Sequence, residues 1–154
     1  MRFRITSYFV LRKRLVKFLL KLKGWKFRGQ DPPSKWKHII FLSPAKGKIL
    51  KSQNRWMTFL TATPSCVVEI SDKSKTEQLL AQRHTVLIRW SDEICENKLT
   101  GLLHTCRENK VRISACAWDT KHKAIKFHSQ FKPSNFPERD IRYLSRFFVY
   151  FKQI

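Results

Sequence analysis

Acidic residues are scarce in this sequence, above all near its start. The chain of 154 residues contains 32 Lys and Arg against 11 Asp and Glu, and its net charge is +21. Residues 1–60 hold sixteen of the basic residues and a single acid, Asp31. So many positive charges repel one another unless a polyanion neutralises them. The composition therefore excludes a basic partner and indicates that the partner is either nucleic acid or an anionic membrane surface.

Glycine and histidine occur too seldom, and at the wrong spacings, for the common cofactor and catalytic motifs. The four glycines, at positions 24, 29, 47 and 101, assemble neither nucleotide-binding fingerprint. None of the five histidines has a carboxylate or a cysteine at a spacing that would build a local base–nucleophile pair. We therefore expect no bound nucleotide, no cofactor and no catalytic residue.

Close cysteine pairs are also missing. Cys66, Cys95, Cys106 and Cys116 are separated by 29, 11 and 10 residues, whereas zinc sites use pairs only a few residues apart. With no secretory leader in the sequence, this spacing predicts reduced thiols, no bound metal and a cytoplasmic location. Basic residues interrupt the N-terminal apolar run, so it does not reach the roughly 20 residues that cross a bilayer.

The apolar content, in contrast, is high enough for a packed core. Apolar residues make up 42% of the chain and aromatic residues 13%, which excludes wholesale disorder. Alternating strand and helix patterns with one late hairpin predict a single α/β domain with a mixed sheet over residues 31–154. A basic amphipathic helix and a linker, residues 1–30, precede it. The predicted strands cover residues 38–43, 66–70, 85–90, 111–118 and 124–128, and the predicted helices cover residues 8–22, 49–60, 74–84 and 99–109.

Two capping patterns mark further helix starts. Ser74 with Glu77, and Asn135 with Glu138, have the spacing at which side chains satisfy the free amides of a first turn. The second pattern predicts a C-terminal helix after Asn135.

The helix predicted over residues 8–22 has one apolar and one basic face. Its apolar face consists of Tyr8, Leu11, Leu15, Phe18, Leu19 and Leu22. Such a helix most often packs on its own domain and leaves the basic face in solvent, but lipid headgroups and RNA phosphates are alternative partners for it. The pattern alone does not separate these three possibilities.

The basic residues of the first 60 positions are the candidate phosphate-binding residues, and three tryptophans among them are candidates for stacking on bases. Core packing or an interfacial lipid belt would explain the same tryptophans. The stacking candidates are Trp25, Trp36 and Trp56. The phosphate-binding candidates are Arg2, Arg4, Arg12, Lys13, Arg14, Lys17, Lys21, Lys23, Lys26, Arg28, Lys35, Lys37, Lys46, Lys48, Lys51 and Arg55.

The order of these segments resembles a known family. A basic amphipathic helix, the segment 22–29, the pair Pro32-Pro33 and a hydrophobic strand ending in Pro44 are similar to the N-terminal part of the lysophospholipid (glycerolipid) acyltransferases. The second half is similar to the closing strands and helix of a small bacterial branch of that family. The features that carry this similarity are Thr100-Gly101, the strand 111–118, Asp119 with its lysine-rich turn, the strand 124–127, Phe131-x-Pro133 and an aromatic final helix. The resemblance implies a truncated glycerolipid acyltransferase fold.

The family's catalytic residues are absent from the matching positions. After the first strand the family carries a His-x4-Asp motif, in which the histidine takes a proton and the aspartate orients it. Ala45 and Leu50 occupy those positions here, and no His-x4-Asp occurs anywhere in the chain. The family's Glu-Gly-Thr-Arg segment is replaced by the sequence Arg89-Trp90-Ser91-Asp92-Glu93. We therefore expect no acyl transfer.

Two functions remain compatible with the sequence. The first is a non-catalytic protein that binds structured RNA, such as ribosomal RNA, and is located on the ribosome in the cytoplasm. The second is a peripheral membrane protein of the acyltransferase type, on the cytoplasmic face of a membrane, with vestigial activity or a lipid-binding role. Membrane attachment needs only a handful of basic groups at about 1 kcal/mol each, so sixteen of them favour RNA.

Overall fold

The computed structural model describes residues 2–29, 37–45, 47–61, 63–91 and 96–152, with only the backbone for residues 2–7 and 150–152. This part of the chain contains five helices and six strands. The helices are α1 (Arg2–Leu22), α2 (Gly47–Leu60), α3 (Lys73–Ala81), α4 (Glu96–Glu108) and α5 (Pro137–Lys152). The strands are β1 (Lys26–Arg28), β2 (His38–Leu42), β3 (Ser65–Val68), β4 (Thr85–Arg89), β5 (Arg112–Asp119) and β6 (Ala124–Phe127).

The six strands form one mixed sheet, which confirms the predicted α/β class. Their order across the sheet is β1-β6-β5-β2-β4-β3. β5 and β6 pair antiparallel through the predicted hairpin, and every other neighbouring pair is parallel. The carboxyl ends of β2, β3, β4 and β5 therefore lie at the same edge of the sheet.

β2 is the central strand because it is apolar on both of its faces. It pairs with β4 on one side and β5 on the other, and all five of its residues are buried. Ile39 and Phe41 point to one face of the sheet, and Ile40 and Leu42 point to the other. This continuous apolar run was the basis for predicting a strand covered on both sides.

Helices cover both faces of the sheet, so the domain has three layers. On one face, side chains from α3, α4 and α5, such as Leu80, Leu103 and Phe148, form one hydrophobic core. On the other face, Val16 and Leu20 of α1 and Met57 of α2 form a second core. We call the helices of this second face the α1/α2 layer.

The structure corrects the predicted N-terminal segment in two respects. α1 begins at Arg2 rather than at residue 8. Residues 26–28, predicted as part of a linker, form the edge strand β1, which pairs with β6. β1 is followed by Gly29, whose φ of +83° and close approach to the carbonyl of Phe127 leave no space for a Cβ atom. The described residues before residue 30 therefore belong to the α/β domain.

Both predicted caps are wrong in detail. α3 begins one residue before Ser74, and Asp72 caps it by accepting a hydrogen bond from the Lys75 amide at 3.1 Å. α5 begins with Pro137, a residue that suits a first helical position because its missing N–H would have no partner there. Other predicted boundaries shift by one to three residues, as is usual at element ends.

Candidate functional site

The apolar face predicted for α1 points into solvent. Tyr8, Leu11 and Leu22 are 61%, 68% and 69% exposed, and Leu15 and Phe18 are more than half exposed. Leu19 completes this group at 41%. We call these six side chains the outward face of α1. The expectation that a helix of this kind packs its apolar face on its own domain is wrong for this chain.

A different side of α1 packs on the domain, and its core is small. Within residues 8–22 of the helix, Val16 and Leu20 are the buried apolar residues, at 7% and 1% exposure. Both contact the α2 side of the sheet. Among the described side chains of α1, two apolar residues are buried, Phe9 and Val10 are partly exposed, and the six of the outward face are exposed, so packing on the domain does not account for that face.

Basic side chains complete the inward contact. The Nη2 atom of Arg12 donates a hydrogen bond to the carbonyl of Thr58, at the end of α2, at 3.0 Å. Its guanidinium also lies 4.6 Å from the ring centre of Phe9 and 5.4 Å from that of Phe59. Such cation–π contacts are favourable and let a charged side chain cover an aromatic ring. Arg12 therefore holds α1 against α2 instead of pointing away from the domain.

Lys17 and Lys23 make the same kind of contact. The Nζ atom of Lys17 lies 5.0 Å from the ring centre of Phe27, and that of Lys23 lies 5.4 Å from the ring centre of Trp56. Three of the residues predicted to bind phosphate thus pack against aromatic rings.

Acids are absent from the helices of the α1/α2 layer. α1 and α2 together contain ten basic residues and no Asp or Glu, whereas α3, α4 and α5 contain eight basic residues and five acids. Arg14 and Lys21 are exposed and lie one helical turn on either side of Phe18. The outward face of α1 is therefore bordered by positive charge.

The structure separates the predicted phosphate-binding residues into two groups. Most of those with described side chains lie on α1 and α2, where Lys48, Lys51 and Arg55 are exposed. Lys26 and Arg28 alternate with Phe27, which packs into the core of the α1/α2 layer, so they point to the opposite face of the sheet. Lys37 directly precedes β2. The side chains of Arg2, Arg4, Lys35 and Lys46 lie outside the described residues.

Two of the three predicted stacking residues pack against the core. Trp25 and Trp56 are partly buried against the core of the α1/α2 layer, and the ring of Trp25 meets that of Trp118 edge-on at 5.1 Å. Trp36 lies outside the described residues.

A cleft lies at the carboxyl edge of the sheet, where the sequence resemblance places catalytic residues. It has a volume of about 760 Å³, and Ala45 and Leu50, the two positions at which the resemblance led us to expect His and Asp, both line it. The other lining residues are Asn54, Val67, Val68, Glu69, Ile70, Ser71, Arg89, Ser91 and Lys98. The sequence did not predict Arg89 or Lys98 as site residues.

Arg89 is the most unusual group in this cleft. Its Nη1 atom donates to the carbonyl of Ser43 at 2.6 Å and to Oε1 of Gln53 at 2.9 Å, and its Nη2 atom donates to Oδ1 of Asn54. All three acceptors are neutral, and Nε is buried with no hydrogen-bond partner among the described residues. Burial lowers the pKa of Arg89 to about 10, so the group is still a cation at neutral pH.

The thiols and carboxylates of the described residues form no metal site. No group of three or more His, Cys, Asp or Glu side chains comes together there. Cys66, Cys106 and Cys116 are free thiols, and burial raises the pKa of Cys106 to about 12. Such a thiol is unreactive at neutral pH. Cys95 lies outside the described residues.

Comparison with known proteins adds no relative. No family model, no curated protein and no solved structure matches this chain. Within the described residues, none of the helices has the length and apolar character required to cross a bilayer.

Proposed function

We propose that this protein binds an anionic membrane surface through α1, as a lipid-binding domain without acyltransferase activity. The outward face of α1 is the observation that carries the proposal. It offers six large apolar side chains to solvent, and basic residues border it. This combination is typical of helices that lie in the plane of a membrane interface, with the apolar face among the acyl chains and the charges among the headgroups.

Free energies favour a lipid partner over RNA for this face. Full burial of a large apolar side chain contributes about 1.5–3 kcal/mol, so six of them contribute on the order of 10 kcal/mol if the acyl region takes them up. RNA phosphates cannot bury these side chains. The basic residues then add about 1 kcal/mol each near an anionic surface.

RNA binding is the second candidate, and the exposed cations of α2 are the residues that would contact it. Lys48, Lys51 and Arg55 lie on a helix without acids and could contact phosphates of either a lipid or an RNA. Arg12, Lys17 and Lys23 are engaged with aromatic rings, so fewer cations of α1 and the turn after it are available for a polyanion than the sequence count implied. This lowers the weight of the charge argument for RNA.

The two candidates differ in a binding experiment with the purified protein. We expect it to float with vesicles of phosphatidylglycerol and phosphatidylcholine, and to bind more weakly but still measurably both to vesicles of phosphatidylcholine alone and to anionic vesicles at high salt. Salt screens the charges but not the apolar contribution.

Structured RNA serves as the competitor in the same experiment. For RNA we expect binding that falls steeply with salt, as phosphate contacts do. Tight RNA binding at near-physiological salt, together with no flotation on anionic vesicles, would contradict the membrane proposal and restore the RNA function.

A further inference from the structure

The cleft at the carboxyl edge of the sheet contains Arg89, a cation that forms no ion pair with a carboxylate of the described residues. Arg89 has three neutral hydrogen-bond acceptors, and within the described part of the chain no ion pair reaches it. A partly buried charge is costly unless it is paired. Arg89 lines a cleft that is large enough for a small molecule, so a ligand bound there can supply the missing negative charge.

We propose that this cleft binds a small organic monoanion, a carboxylate carried on a compact apolar body, whose charge pairs with Arg89. This site is distinct from the outward face of α1 and does not depend on membrane binding.

The charge of the lining residues selects the charge of the ligand. Among the described lining residues the charged ones are Arg89, Lys98 and Glu69, which together carry one net positive charge. One negative charge on the ligand balances the charges of these described lining residues. A phosphate monoester has nearly two negative charges at neutral pH and would leave an excess of negative charge beside Glu69.

Hydrogen-bond donors and apolar surface define the rest of the ligand. Because Asn54 accepts from Arg89 through its oxygen, its amide N–H groups remain to donate, and Ser71 adds a hydroxyl to the lining. Leu50, Val67 and Ile70 supply an apolar wall. A ligand with acceptor oxygens at one end and a hydrocarbon ring or short chain at the other fits both parts.

A glutamate placed in the cleft tests this proposal. Leu50 lies in the first turn of α2, where a carboxylate is favoured by the helix dipole, and Leu50→Glu would supply the missing counter-charge from the chain itself. Ile49→Glu is the matched control, because it makes the same change on the next residue, which is 51% exposed and does not line the cleft.

The probes are benzoate, phenyl phosphate and benzyl alcohol. Calorimetry measures their binding to the full chain, and thermal unfolding measures their effect on its stability. We expect benzoate to bind the wild-type protein and raise its unfolding temperature, and benzyl alcohol to do neither. Leu50→Glu should weaken benzoate binding by at least about tenfold, and Ile49→Glu should bind as the wild type does. Lys98→Gln, at the exposed rim, should weaken benzoate binding by a smaller factor. This variant tests the proposal even if Leu50→Glu does not fold.

Several results would overturn the proposal. They are equal binding of benzoate and benzyl alcohol, no benzoate binding at millimolar concentration, equal losses in Leu50→Glu and Ile49→Glu, and tighter binding of phenyl phosphate than of benzoate.

Vesicle binding distinguishes this site from the α1 surface. We expect Leu50→Glu to leave flotation on phosphatidylglycerol vesicles unchanged, and a loss of flotation in this variant would show that the cleft takes a lipid headgroup instead of a free carboxylate.

Discussion

Replacing Leu15 and Phe18 by glutamine should reduce binding to phosphatidylglycerol vesicles by at least about 30-fold and leave the domain folded. Both side chains are more than half exposed, so the folded state loses little. Full burial contributes about 1.5–3 kcal/mol for each side chain, and because just over half of each is exposed, the pair contributes about 2–3 kcal/mol, which corresponds to a factor of about 30–150. Glutamine keeps a good helix propensity and the net charge. Flotation measures the loss, and circular dichroism checks the fold.

The matched control changes the inward side of the same helix. Val16→Gln with Leu20→Gln also removes two apolar residues, but these are buried between α1 and the sheet. We expect a loss of several kcal/mol in the free energy of unfolding. The opposite result would contradict the orientation of α1 described above. In that result, the Leu15 and Phe18 replacements destabilise the domain and the Val16 and Leu20 replacements do not.

The second large effect concerns His38 and acid stability. His38 begins β2, is buried, and shares a hydrogen bond with Ser114 Oγ at 3.1 Å. Burial, aided by the charge of Arg112, lowers its pKa from 6.5 to about 4. Because the unfolded chain takes up a proton near pH 6.5 and the folded chain does not, the free energy of unfolding falls as pH drops from about 6.5 to about 4. The loss over this window is about 3 kcal/mol.

Urea denaturation at several pH values tests this effect. We expect His38→Gln, which can still hydrogen bond to Ser114, to show a flatter dependence on pH between 6.5 and 4 than the wild type. His104→Gln is the control, since His104 is exposed on α4. An unchanged slope in His38→Gln would show that other groups cause the acid sensitivity.

The core of the fold could be predicted from the sequence because its signals are local. The contiguous apolar residues of β2 predicted a strand buried on both faces, and the structure places it at the centre of the sheet. β1 was missed because a strand of only three residues carries no such signal. Its strand geometry comes from pairing with Ala124–Phe127, about a hundred residues later in the chain.

The candidate site could be predicted only in part, for a related reason. Helical periodicity identified the apolar residues of α1, but it does not say which side of a helix packs on the domain. The side that packs on the domain depends on tertiary contacts, such as those of the Arg12 side chain with Phe59 and the end of α2. Likewise, the contacts of Arg89 with Gln53 and Asn54 join residues more than thirty positions apart, and no sequence pattern connects them.

The orientation of α1 on a membrane can be measured with an environment-sensitive fluorophore attached to a single cysteine. Cys106 and Cys116 are buried, so only Cys66 and Cys95 need replacement by serine before Leu15→Cys or Arg142→Cys is labelled. Arg142 is the control position because it is exposed on α5, in the opposite layer.

On phosphatidylglycerol vesicles we expect the emission of the fluorophore at position 15 to shift to the blue and to be quenched by lipids labelled in their acyl chains. At position 142 neither change should occur. An unchanged spectrum at position 15 while the protein is bound to the vesicles, or a shift at position 142 instead, would contradict membrane binding through the outward face of α1.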